Sequence, residues 1–452
     1  RTPPDAEPFG REFDGDEVVA ALRRLLNIAA GSGRAFAGLA FTGQREGLAF
    51  LDAGGRPLYV GPNIDARASA EGMEIDAGRG AAVYEATGHL PSLLQAAAKF
   101  LWLRRHRPAI ADHVRCVLPL ADWLASIVTG SNAMSRSLAV ENGLLDIRTG
   151  DVPPEVVRAG LDGSLIATLS ADGAIVGSVR SGPLAGVPVV LAGADTQCAL
   201  VGMRATEPGD CAVAAGWSAP VQLVTPAPVF DPEMRTWTGV HVVPDRFVLE
   251  SNASETGRAW AWICSLLRQS PDEAAAIAAS AAPGADDVMT VLGPRVMRAS
   301  AMSAGIGGLT LPLPLAMSAP GAAVVLRSVL ESIAYAIRAN LEQIEEISSS
   351  RVSLLRLGGG MARMSLFGQI VTDVIDRPVE VAGDAETSAV GAAALAAVAL
   401  GLYSSIGAAF DSMAGRRRAV MPDAPASAVY EDLYARWCVM ADAFERIEGE
   451  GI

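Results

Sequence analysis

The sequence predicts an α/β chain of two lobes, with a ligand cleft between them as the default site. Three observations carry this. Short apolar runs alternate with longer stretches of helical periodicity. The run at 187–191 is mostly β-branched, the pattern of a strand buried on both faces. A second set of strands with its own turn chemistry begins just after Gly202 and divides the 452 residues into 1–203 and 204–452.

Taken in order, residues 16–29 read as an amphipathic helix with Val18, Val19, Leu22, Leu25 and Leu26 near one face. A strand at 36–41, a polar turn and a strand at 48–52 read as a hairpin, and Ala53-Gly54-Gly55 turns tightly after it. Helical segments follow at 92–105 and 110–129, separated by Pro108, with Pro119 interrupting the second. The strand at 187–191 tolerates Pro188 near its start. Residues 211–215 with 221–225, and 241–243 with 246–250, read as two further hairpins. A long helix at 324–347 precedes a strand at 352–357, a helix at 365–375 and a strand at 379–381. Helices at 385–400 and 427–446 complete the chain.

Composition excludes several function classes. Half the residues are apolar and 19% are charged, enough to bury sizeable cores. Fifty acids against 36 bases give a net charge of −14, the wrong sign for a general nucleic-acid binder. Only Lys99 among the bases is a lysine, which reads as a compositional bias. Five cysteines without CxxC spacing and four histidines without HExxH predict buried thiols in a reducing compartment and no metal site. The opening residues lack the apolar core of a signal peptide, and the apolar run at 389–400 is short for a membrane span. A cytoplasmic protein that binds no membrane is expected, with a homodimer left open.

Four constellations could carry chemistry. Asp195 closes the segment PVVLAGAD at a strand's carboxyl end, where α/β sheets bind ligands. It could be a general base, a metal anchor or a helix N-cap. In Thr42-Gly43-Gln44-Arg45-Glu46, an arginine that only donates beside a glutamate that only accepts could fork several hydroxyls. A surface turn with a weak ion pair is the plainer reading. Gly358, Gly359 and Gly360 follow a strand and precede a helix, so backbone free of side chains could meet a base or phosphate, or simply turn. Arg363 rules out GxGxxG, and no GK[ST] follows. Gly216-Trp217-Ser218 tips a hairpin that could cradle phosphate oxygens or be an ordinary turn.

In chain order these pieces resemble the FGGY family of carbohydrate kinases over essentially the whole chain. GLAFTGQREGLAFLDAGGRPLY is similar to the family's N-terminal hairpin. NIDARA is similar to its W-x-D-x-R region, with Asn63 for the tryptophan. KFLWLRRHRP and LADWLASIVTG match the helices that follow, and PVVLAGADTQCALVG resembles the catalytic segment. LGGGMARMSLFGQIVTDVIDRPVEV with ETSAVGAAALAAVALGLY resembles the C-terminal signature. The resemblance implies two ribonuclease-H-like, actin-like domains, the first binding sugar and the second nucleotide, with ATP and sugar meeting in the cleft. It implies phosphorylation of a primary hydroxyl of a small sugar or polyol, with magnesium bridging the phosphates. Asp195 falls where the family has its general base, and Arg45 and Glu46 where glycerol and autoinducer kinases contact substrate hydroxyls. Many xylulose kinases carry Met-His there. Asp65 is implied as a further substrate contact, Gly216 and Ser218 as the phosphate turn, and Gly359, Gly360 and Met361 as the adenosine site, with Ser365 and Gln369 nearby.

Two departures support the alternative of a non-catalytic, degenerate sugar- or nucleotide-binding homologue. Trp217 stands where the family usually has threonine. The family's Asp-x-Gly-Thr/Ser phosphate loop should precede the opening residues, so a natural extension of roughly 20–40 residues upstream of Arg1 is expected, given strands of about 5–6 residues.

Overall fold

In the computed structural model, which describes residues 9–301, 305–315, 319–383 and 386–449, helices and strands alternate along the chain. The molecule has two compact units that interleave in sequence. The first takes the chain up to Thr206 together with Thr225–Val248 and Ser388–Ala414; the second takes Glu207–Val224, Leu249–Thr387 and the chain from Gly415 onward.

In the first unit, the strand Leu39–Gly43 does not form the expected hairpin with the strand Leu48–Leu51. It pairs in parallel with Pro188–Ala194, Leu39 opposite Val189 and Gly43 opposite Ala194, with a register slip between Phe41 and Thr42. Leu48–Leu51 belongs to another sheet, between Pro57–Gly61 and Cys116–Pro119. All four of its residues are buried, so it needs a neighbour on each edge and cover on both faces. The true hairpin therefore closes over Ala53-Gly54-Gly55, where Asp52 Oδ1 accepts from the amides of Gly54 and Arg56 at 2.9 Å each.

Residues 110–129 are not one interrupted helix. Cys116–Pro119 is a strand, and Pro119 hands over directly to the helix Leu120–Thr129. Val117 and Leu118 are fully buried, and their pairing with Phe50 and Ala49 outweighs the local helical pattern. Residues 92–105 divide likewise into a single turn, Ser92–Leu94, and the helix Ala96–His106. One core gathers Leu48, Phe50, Phe100, Trp123, Met134 and Leu144.

In the second unit, Pro220–Thr225, Cys211–Ala214, Leu355–Gly358, Val379–Val381 and Arg418–Val420 lie side by side in that order. Cys211–Ala214 and Leu355–Gly358 run parallel, Ala214 opposite Gly358, so the loops leaving them emerge together. The helix Ala322–Ser348 buries Leu326, Leu330, Ile333, Ile337, Leu341 and Ile344 along one stripe. Ser365–Ile375 and Val379–Val381 fall where the pattern put them. The expected helix at 385–400 is Thr387–Ala399, and Ala385 lies outside the described residues. Among the described residues no helix is long and apolar enough to cross a membrane, and the five cysteines are free thiols.

Candidate active site

The first unit brings Asp195, Arg45 and Glu46 to one place because neighbouring parallel strands end there. Asp195 follows Pro188–Ala194 directly and opens the helix Asp195–Gly202. The N-cap position is Ala194, with no side-chain capping bond, so the cap reading of Asp195 fails. Burial raises its carboxyl above the ordinary 3.8, opposed by Arg45 and the Thr196 amide and reinforced by Glu141. A carboxylate so raised is a stronger base than a solvated one.

Sequence reading missed the groups around Arg45. Its guanidinium lies 3.5 Å from Glu141 Oε2 and 5.1 Å from the centre of the Trp237 ring. Glu141 is buried, and its other oxygen accepts from Gln197 Nε2 at 2.6 Å. His89 Nδ1 contacts the Thr87 carbonyl at 2.8 Å, which only an N–H can satisfy. Its Nε2 stands 3.0 Å from Glu141 Oε2, at ion-pair distance though off the line of a hydrogen bond. A neutral ring would aim a lone pair at that carboxylate. Burial alone would lower the His89 pKa, but Glu141 outweighs it and the pKa is raised. Glu141 is correspondingly held low despite its burial, by His89 and then Arg45. The one hint in sequence was a carboxylate inside the apolar run SLAVENGLL.

Glu46 adopts a left-handed φ of 57°, and burial raises its carboxyl while Arg45 pulls it back. What holds this turn is Lys99. Its ammonium is buried and donates to the carbonyls of Glu46 at 2.6 Å and Pro62 at 3.3 Å. Burial pulls its pKa down to about 8, against the attraction of Asp65 and Glu46. The only lysine in the sequence is thus part of the site's frame and not a compositional accident. Asp65 is also framework. Its carboxylate is 0% exposed and accepts from Arg67 Nε at 2.8 Å, the Arg11 amide at 2.9 Å and the Tyr59 hydroxyl. Those donors engage both of its oxygens.

The second unit brings the two glycine turns together. Met361 N donates to the Ala215 carbonyl at 3.0 Å, and Ala215 N to that of Gly358 at 2.8 Å. Gly359 has φ +89°, and a Cβ there would press on the Ala215 backbone; Gly360 has no positive φ and its Cβ would meet nothing within 4 Å. The conformational demand therefore falls on Gly359, while Gly360 has open space where a side chain would stand; Gly216 donates to the Ser218 carbonyl at 2.8 Å and accepts from the Gly257 amide at 3.0 Å. Side-chain-free surface of this kind fits a nucleotide. Ser218 is half-buried, and Trp217 stands 69% exposed with Arg258 5.8 Å from its ring centre. Met361 is buried and Ser365 exposed at the start of its helix. Gln369 spends its amide donors on Asp373 Oδ1 and the Met421 carbonyl, a structural use that leaves it no donor for adenosine. Among the described residues no group of three His, Cys, Asp or Glu could hold a metal.

The N-terminal domain model of the FGGY family of carbohydrate kinases matches residues 16–202, and its C-terminal domain model matches residues 211–400. The chain belongs to the FGGY family of carbohydrate kinases. This FGGY protein is 30% identical to the autoinducer-2 kinase of Yersinia enterocolitica serotype O:8 / biotype 1B, over 95% of its own length and 86% of the relative's. It is 30% identical over the same shares to that of Yersinia pseudotuberculosis serotype O:3. Its fold is that of a ligand-bound xylulose kinase from Lactobacillus acidophilus (TM-score 0.86, 16% identity, 99% of this chain and 92% of the other). It is also that of Plasmodium falciparum glycerol kinase with ADP (0.83, 18%, 97% and 91%). The FGGY chain is therefore a sugar or polyol kinase of the actin-like fold, in a family whose members use ATP. The non-catalytic reading gains no support.

Proposed function

We propose that this FGGY kinase transfers the γ-phosphoryl group of ATP to a primary hydroxyl of a small sugar or polyol, with Asp195 as general base. The observation that carries the proposal is the Asp195 carboxylate: uncapped, at the end of a buried strand, raised by burial, and within the electrostatic reach of Arg45 and Glu141. Residues 1–203, joined by the segment Thr225–Val248 that carries Trp237, would supply the sugar side, and the rest of 204–452 the nucleotide side.

Asp195 accepts the hydroxyl proton as the oxygen forms its new bond to the γ-phosphorus and the bond from that phosphorus to the bridging oxygen breaks, releasing ADP. Proton transfer comes late in a loose transition state, so a carboxylate is basic enough. Arg45, fixed by Glu141 and Trp237, donates to substrate oxygens, and Glu46 accepts from hydroxyls. Backbone at Gly216, Ser218, Gly359 and Gly360 holds the nucleotide. ATP would supply the phosphoryl group, and Mg2+ bound with it would neutralise phosphate charge. The free thiols suit the reducing cytoplasm, where ATP is available.

The Gln-Arg-Glu turn, with relatives named autoinducer-2 kinase, favours autoinducer-like, glycerol-like or tetritol-like acceptors over xylulose. A substrate panel read by ADP release tests this. Turnover on a short open-chain polyol or on autoinducer-2 well above that on xylulose is expected, and the reverse ranking overturns the substrate assignment.

A further inference from the structure

The Gly193–Ala194 peptide, one peptide ahead of the bond that leads into Asp195, is gripped at both ends by side chains. Its carbonyl, on Gly193, accepts from Thr42 Oγ1 at 2.8 Å. Its N–H, on Ala194, donates to Ser137 Oγ at 3.0 Å. One residue earlier, the Ala192 carbonyl accepts from the Cys198 thiol at 3.2 Å. These grips lie where the parallel ladder between Leu39–Gly43 and Pro188–Ala194 slips register. Side chains there add to a ladder that resumes with Thr42 opposite Gly193 and Gly43 opposite Ala194.

The Ser137 hydroxyl, while accepting from Ala194, donates to Asp172 Oδ1 at 2.8 Å, and the Ser137 amide lies 3.1 Å from Asp172 Oδ2. Asp172 sits in the turn before the strand Ala174–Ser178. Gly193 is at φ +89°, and a Cβ there would collide with both Ser137 Oγ and Asp172 Oδ1. The glycine that admits this pair is the one that shapes the approach to Asp195.

We propose that Ser137 and Asp172 are positioning residues for the general base, clamping the Gly193–Ala194 peptide so that the Asp195 carboxylate is held on the acceptor hydroxyl. This rests on Asp195 being that base. An ionised Asp172 polarises the Ser137 hydroxyl and strengthens its hold on the Ala194 N–H; a protonated one loosens it. Burial pushes the Asp172 carboxyl up to about 7. The charged and titratable groups acting on it are few: Asp122, which raises it further, Arg136, which lowers it, and the Cys198 thiol, itself raised by burial. The clamp therefore tightens as pH rises through neutrality.

Three variants test it: Ser137→Ala, Asp172→Asn and Asp195→Asn, assayed for kcat, both KM values and pH profile. Ser137→Ala is expected to lower kcat about 10- to 100-fold, the cost of a misplaced reacting group, with both KM values nearly unchanged. The acid limb of log kcat should carry two ionisations in the wild type and one in Asp172→Asn. If Asp195→Asn is inactive while the other two keep wild-type kcat and both ionisations, the clamp is wrong and the base assignment stands. If Asp195→Asn stays active, the base assignment itself falls. Raised KM for both substrates with an unaltered pH profile would mark the pair as merely structural and overturn the proposal. Should Ser137→Ala fail to fold, Thr42→Val asks the same question at the other end of the peptide.

Discussion

The two halves of the proposed chemistry are built from different materials. Around Asp195 the protein uses side chains and buried charge: Arg45 and His89 face Glu141, and Lys99 holds the carbonyls of Glu46 and Pro62. Around Gly359 it uses backbone, and the main demand is that side chains be absent. The first design selects a shape and a pattern of hydroxyls. The second presents an open surface of main chain, which suits a co-substrate common to a whole family. A substitution should therefore act on the sugar or on the nucleotide according to which material it disturbs.

The severest test of the side-chain half is Asp195→Asn. Turnover at saturating substrate should fall about 100-fold or more, the low end of what a general base contributes, while the melting temperature holds. Near-wild-type kcat would remove Asp195 from the mechanism. Next come Arg45→Ala and Glu46→Ala, which should raise the sugar KM and spare the ATP KM. For Arg45→Ala, the buried Glu141 loses one partner and keeps His89 and Gln197, so the added penalty falls at the low end of about 1–3 kcal/mol. Loss of ATP affinity with sugar affinity kept would show the halves assigned backwards.

On the backbone side, Gly359→Ala should weaken nucleotide binding in calorimetry by about 1–3 kcal/mol, the strain of a side chain forced into that backbone region. Gly360→Ala should do little, because its Cβ meets open space. Equal losses at the two positions would dissolve the distinction drawn from their geometry.

The mildest effect is on stability. Burial lifts the Asp122 carboxyl from 3.8 to about 7, against its bonds from Ser135. The folded state then binds a proton that the unfolded state has already released. Stability falls as pH rises from about 4 to about 7 and stays lower above that. Between pH 5 and pH 8 the wild-type melting temperature should drop more than that of Asp122→Asn, by about 2–4 °C for each kcal/mol involved. Identical slopes in the two proteins would show that Asp122 is not the group responsible.

What the sequence disclosed follows the same division. The triple glycine and the strand ending in Asp195 are local signals, a few residues whose composition dictates their conformation. The partners of Arg45 are not local. Glu141 lies 96 residues away and Trp237 farther still, and nothing in a charged residue inside an apolar helix says which cation it will meet. The misplaced hairpin has the same cause. Leu39–Gly43 and Leu48–Leu51 look like partners because a turn joins them, yet the first pairs some 150 residues downstream, as Leu39 with Val189 shows. Asp65 differs again. Its motif was legible, but only the fold shows its carboxylate accepting from Arg67, Arg11 and Tyr59.

Lys99 has a consequence beyond the site it braces. The chain's single lysine is buried, so every basic side chain on its surface is an arginine or a histidine. Acyl transfer to side-chain amines, whether by a cellular acetyl donor or an amine-reactive label, would find no target there. The guanidinium charges stay fixed to well above pH 10. Cleavage by a trypsin-like protease would be confined to arginines as long as the fold holds. A cut or label at position 99 would then report that the frame around the Glu46 turn has opened, a built-in gauge of its unfolding.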